Sequence, residues 1–194
     1  MDTLQSQILD STAEIFSRSG LNFTMQDVAK EMHISKKTIY TAFPSKEELL
    51  NAMLDRGFEL IHRAKEAILS SDMPPAEKLR KVMIALPDEF ASLDYRQMDH
   101  LEEKYPMTAA RLAYHLESNW EPVDRLIRQG MEEGWLRKDL DLPILKISFS
   151  ATLRSFLFSS GLEQNQIPYT QALDRFMDLL MAGMLARPAE TSGH

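Results

Sequence analysis

Apolar positions recur along this chain at intervals of three and four rather than two, the spacing of helices that bury one face. The fold class this implies is all-α. Leu4, Ile8, Thr12 and Ile15, flanked by Leu9, Ala13 and Phe16, form one stripe that stops where Gly20 offers a left-handed cap, so a first helix ends near Ser19. Three N-cap residues follow: Thr24 before Met25-Gln26-Asp27, Ser35 before Lys36-Lys37-Thr38, and Ser45 before Lys46-Glu47-Glu48. The last has the form of a capping box, with Glu48 reaching back. Two short helices and the start of a long one result. The long one carries Leu49, Leu50, Met53, Leu54, Phe58 and Ile61 to about Leu69, before a break at Ser70 to Pro75. At 1.5 Å per residue it measures about 36 Å, enough to join two domains mechanically.

Beyond Pro75 the pattern predicts helices at about 75–93, 94–104, 107–133, 142–161 and 168–186. Pro122 either kinks the third of these or opens its second half behind Asn119 or Trp120, and Gly134 stops it. No internal repeat or low-complexity tract interrupts the series. The expected division is a unit of short helices at 1–48, a larger helical domain at 49–187, and a loose tail at 188–194.

Composition narrows the function. A hydrophobic content of 44% over 194 residues supports a real core. With no cysteine, disulfides, thiolate metal sites and cysteine nucleophiles are excluded, which fits a reducing compartment. Asp2, Asp10 and Glu14 among spaced apolar residues are unlike a signal peptide, and Lys146 and Arg154 interrupt the most apolar late stretch, so the expected location is the cytoplasm, not a membrane. A net charge of −7 means that any contact with nucleic acid must be local.

Residues 23–50 supply that local site. Val28, Ala29, Met32, Ile34, Ile39 and Phe43 form a shared core for two short helices around a tight turn, a unit that places its second helix in the DNA major groove. That helix opens with Lys36, Lys37 and Thr38 at the positive end of its dipole, where a phosphate would sit. Tyr40 and Thr41 are exposed beside Lys37, Lys46 can hold another phosphate, and Thr24 is placed for the flanking backbone.

Thr24, Val28-Ala29, Ile34-Ser35, Thr38-Ile39-Tyr40, Phe43 and Ser45-Lys46-Glu47 with Leu49 stand at the spacings of the TetR family of bacterial transcriptional regulators, which the chain resembles over about a quarter of its length. Beyond the motif, the helical layout and the Gly130, Gly134-Trp135-Leu136 ending of the central helix are similar. There are two departures. His33 occupies a turn position where glycine is usual, and His tolerates positive φ at some cost. Ala42 stands where a histidine often contacts backbone, so one phosphate contact is absent; Lys37 replaces a common small residue and can compensate.

The resemblance implies a helix-turn-helix DNA-binding domain at 1–48 and a helical ligand-sensing and dimerisation domain at 49–187, in a repressor of palindromic operator DNA that works as a homodimer on half-sites roughly 34–36 Å apart and is released by a small, mainly apolar effector. In the family the last two helices pair with their symmetry mates; here the candidates are Leu153, Phe156, Leu157, Phe176, Met177, Leu180 and Met184, with small Ser148, Ala151 and Thr152 allowing close crossing. The candidates to line an effector cavity are Phe58, Met83, Phe90, Tyr95, Met98, Leu101, Tyr105, Leu112, Tyr114 and Trp120, although a stripe of Met and aromatic residues is more often plain core. His100 with Asp99 and Glu103 has the composition of a metal site but reads better as a solvated face, and no metal or cofactor is expected. Two rival readings are a regulator that has no ligand and acts through DNA or a protein partner, and an all-α enzyme. The enzyme would need paired carboxylates with a base or a phosphate-cradling loop, and neither is found.

Overall fold

The computed structural model describes residues 3–87 and 100–186. Its helices are α1 (Thr3–Ser19), α2 (Met25–Glu31), α3 (Lys36–Ala42), α4 (Lys46–Leu69), α5 (Pro75–Met83), α6 (Leu101–Lys104), α7 (Pro106–Glu117), α8 (Glu121–Glu133), α9 (Leu142–Phe158), α10 (Gly161–Gln164) and α11 (Tyr169–Met184). Among the described residues the one β-type pairing is the single bridge between Leu136 and Leu185.

The local signals act where the sequence places them. Gly20 adopts φ 55° and turns α1 into a short 3₁₀ segment, Gly20–Asn22. Each of the three N-caps accepts a backbone N–H from the third helical residue: Thr24 from Asp27, Ser35 from Thr38 and Ser45 from Glu48. The reciprocal capping box forms at Thr24, where Asp27 Oδ2 accepts the Thr24 N–H at 2.8 Å, while Ser45 makes the one-sided cap. This exchange holds the Asp27 carboxyl below its usual range. His33 takes φ 54°, the left-handed turn in which glycine is usual. Of the alternatives at Pro122, the chain takes the second: α7 ends at Glu117, Asn119 turns at φ 57°, and Pro122 lies in the first turn of α8 behind Trp120. Gly134 caps α8 at φ 81°.

Two apolar cores share α4. The first gathers Ile8, Phe16, Phe23, Val28, Ile39, Phe43, Leu49 and Leu50 around the N-terminal helices, and extends to Leu101, Ala109, Leu112 and Leu157 of the later chain. The second gathers Leu79, Val82, Trp120, Ile127, Leu136, Phe149, Met177 and Met184. The division between them therefore falls within α4 and within α9, because the N-terminal helices bury their remaining apolar face against α6, α7 and the end of α9. Each large aliphatic side chain buried in this way contributes about 1.5–3 kcal/mol. Polar links lie outside the cores: Arg80 of α5 donates to Asp174 and Asp178 of α11 at 3.1 and 3.0 Å.

Candidate nucleic-acid interface and interior cavity

In α3 the backbone presents Ile39 inward, where it is fully buried, and Lys36, Lys37, Tyr40 and Thr41 outward. Positions 36, 37, 40 and 41 share one face because three- and four-residue steps return to the same side of a helix. The Lys36 ammonium lies 5.6 Å from the centre of the Tyr40 ring, and the Thr41 hydroxyl donates to the Lys37 carbonyl at 2.9 Å. Thr38 has its hydroxyl 2.8 Å from that of Ser35, so it completes the helix cap. Thr24 is exposed at the N-terminus of α2, its hydroxyl donating to Asp27. The Gln5 amide of α1 donates to the Ala42 carbonyl at 3.4 Å, tying the end of α3 to the first helix.

Lys46 departs from its expected role. Its ammonium donates inward to the Leu21 carbonyl at 2.6 Å and to the Phe23 carbonyl, and lies over the rings of Phe23 at 4.2 Å and Tyr105 at 5.2 Å. The carbonyls at the end of the 3₁₀ segment lack helical partners, and a lysine stem long enough to reach them satisfies both. In this arrangement Lys46 is a clasp between α4 and the loop before α2.

Behind this unit, α4 flanks a cavity of about 160 Å³. Leu54, Phe58, Ile61 and Lys65 face it from α4, Leu112, His115 and Leu116 from α7, and Phe149, Leu153 and Leu157 from α9; Met83, Trp120, Val123, Tyr169 and Leu173 complete most of the wall. Phe58, Met83, Leu112 and Trp120 are thus brought together. Leu101 and Tyr105 are not: they pack in the N-terminal core, because α6 closes over the first helices. Tyr114 is 69% exposed, one position away from the inward-facing His115 on the same helix. Phe90, Tyr95 and Met98 lie outside the described residues, as does Asp99; His100 and Glu103 make a surface pair at 3.1 Å.

The polar groups where α4 meets α7, of which Lys65, His115 and Asn119 line the cavity, were absent from the candidates read in the sequence. Asp55 on α4 accepts Arg111 Nε and Nη2, both at 2.5 Å, and His115 Nε2 at 2.9 Å. Burial raises the Asp55 carboxyl, but these hydrogen bonds outweigh it and leave the group below its ordinary value. The Asn119 amide donates to His62 Nε2 at 3.0 Å. Burial lowers the His62 pKa, aided by the charge of Lys65. Burial also raises the Tyr169 phenol. The available signal was Lys65 itself, a charge at the next turn of the apolar stripe Leu54, Phe58, Ile61.

The proposed pairing residues of the last long helices are placed unequally. Leu153 and Leu157 face the cavity, and Met177 and Met184 are buried in the second core. Phe156, Phe176 and Leu180 are half-buried, with Phe176 stacked on Phe149 at 5.7 Å. The outward apolar groups on α9 and α11 are Ile144, Ile147 and Leu179, at 60%, 64% and 75% exposure, with the small Ser148 and Ala151 beside them. The helices are rotated relative to expectation because their most apolar stripe is consumed by the core.

Residues 8–53 match the family model described as bacterial regulatory proteins of the tetR family. Over 155 residues the chain is 26% identical to the HTH-type transcriptional repressor KstR2 of Mycobacterium tuberculosis, covering 75% of each protein. It is 20% identical over 184 residues to YvaF, an uncharacterized HTH-type transcriptional regulator of Bacillus subtilis, covering 94% of this chain and 96% of that one. Its fold is similar to that of a TetR-family regulator from Cytophaga hutchinsonii, with a TM-score of 0.72 at 17% identity over 96% of this chain and 97% of the other.

Proposed function

This chain belongs to the tetR family of bacterial regulatory proteins, DNA-binding transcription regulators rather than enzymes, and from that premise we propose that it is a cytoplasmic homodimeric repressor released from a palindromic operator by a small apolar effector. The observation that carries the reading is the outward face of α3, where Lys36, Lys37, Tyr40 and Thr41 point away from the core while Ile39 fixes the helix from beneath. Lysines at the start of such a helix add charge where the dipole is positive, and the aromatic and hydroxyl groups that follow contact backbone or base edges. Thr24 serves the flanking phosphates.

The effector site is the cavity behind α4, and α4 supplies the coupling. Asp55 is held from α7 by Arg111 and His115, and the next residue, Arg56, donates to the Ser6 carbonyl at 3.0 Å and pairs with Asp10 at 2.5 Å on α1. An occupant that displaces α7 moves α4, and α4 carries α1 to α3 with it. In a dimer this changes the separation of the two α3 helices, and an effector favours release by as much as it prefers the incompetent spacing. The exposed Ile144, Ile147 and Leu179 support pairing through α9 and α11.

The test is binding of the purified protein to a fluorescent duplex from upstream of its own gene, against scrambled DNA, across a salt series. Selective, salt-sensitive binding that falls when Lys37 and Tyr40 are replaced by Ala is expected. Equal affinity for both duplexes, and for neighbouring promoters, would remove the repressor reading. A regulator that senses no ligand would bind selectively yet show no thermal stabilisation in a small-molecule screen.

A further inference from the structure

The cavity wall is apolar along α9 and polar where α4 meets α7, and there the chain holds hydrogen-bonding and charge capacity that it does not use. Lys65 brings an ammonium into the lining one turn after Ile61. Among the described residues this ammonium has no ion pair or hydrogen bond, and burial without a countercharge lowers its pKa. From α7, the His115 ring stacks on Phe58 at 4.3 Å and commits Nε2 to Asp55, while Nδ1 is buried without a partner. The charges of Lys65 and His115 both act on His62, whose Nε2 accepts from Asn119 at the cavity rim, so these groups form one neighbourhood.

A lone cation in an apolar lining is costly unless something neutralises it. We propose that the occupant is an apolar molecule with a single carboxylate, its hydrocarbon part against Phe58, Leu112, Trp120 and Leu157 and its charge at Lys65. The assignment rests on the cavity being the effector site. One lysine matches one negative charge; a phosphate would need more donors, such as an arginine fork or a helix N-terminus, than this lining provides. The volume, about 160 Å³, is close to that of a cavity that admits a benzene ring, which suits a medium-length chain or one ring rather than a large amphiphile.

Trp120 lines the cavity and the only other tryptophan, Trp135, does not, so fluorescence of the full-length Trp135→Phe protein reports occupancy. The probes are alkanoates from hexanoate to dodecanoate, the alkanols and alkylamines of equal length, and 4-phenylbutyrate with its methyl ester. The acid of the best-fitting pair should bind at least tenfold tighter than its neutral counterpart, and the amine should not bind. Lys65→Met should abolish that preference while leaving alkanol binding in place, and Lys65→Arg should restore it. A preference in either the alkyl or the phenyl series supports the assignment. Alkanols binding as well as alkanoates, or an undiminished preference in Lys65→Met, would overturn it while leaving the effector cavity intact. Failure of every probe to bind would remove both.

Discussion

At Gly130 the backbone of α8 passes against the Trp135 indole, and a Cβ there would stand 2.6 Å from Trp135 Cζ2 and 2.8 Å from Leu136 Cδ1. Leu136 is 1% exposed and cannot retreat as a surface chain does, so Gly130→Ala should destabilise the protein by about 1–3 kcal/mol. Thermal unfolding at fixed protein concentration would show this as a fall of several degrees, and an unchanged midpoint would mean that Trp135 and Leu136 both give way freely. Two lysines of the N-terminal unit separate structure from recognition in the same way. Lys46→Met leaves the Leu21 and Phe23 carbonyls without their donor and should cost roughly 1–3 kcal/mol. Lys37→Ala removes no such bond and should leave the unfolding midpoint in place, but weaken operator binding and lower its salt slope by about one for each phosphate that is no longer neutralised. If Lys46→Met instead spares stability and weakens only DNA binding, the clasp is wrong.

The decisive element is α4, which is read by both halves of the molecule through adjacent residues, Asp55 toward α7 and Arg56 toward α1. Its start depends on Ser45, whose hydroxyl accepts the Glu48 N–H at 3.1 Å, and Ser45→Ala should cost about 1 kcal/mol in a urea titration. The α4–α7 link is pH-dependent. Because Arg111 and His115 hold the Asp55 carboxyl below its unfolded value, its stabilisation is present above that value and is lost as the pH falls through the folded one. Asp55→Asn should therefore lower stability at neutral pH, and the difference from wild type should shrink as acidification proceeds below about pH 4. A difference that is constant with pH would assign the loss to packing rather than charge.

For the whole molecule, the proposed pairing through the outward apolar groups of α9 and α11 sets the prediction. Ile147→Glu or Leu179→Glu places a charge on a face that would have to be desolvated on pairing, so light scattering should find monomers with unchanged helix content. A dimer that persists in both variants would move the interface elsewhere. Monomers should also bind the operator weakly, since one α3 reads only one half-site.

The helical class, the caps at Thr24, Ser35 and Ser45, the turns at Gly20, His33 and Gly134, and the outward face of α3 were all legible in the chain, because each depends on a few consecutive residues and their φ preferences. What depended on packing was not. Lys46 reads as a free cation until the ends of the 3₁₀ segment are brought beneath it, and Tyr114 and His115 exchange roles because a step of one residue rotates a helix by about 100°. The late helices are apolar on more than one face, so periodicity could not decide which stripe the core would take and which would be left outside. Only the tertiary structure settles this, since Met177 is 0% exposed and Leu179 lies outside through the competition of α5, α8 and α9 for the same buried volume.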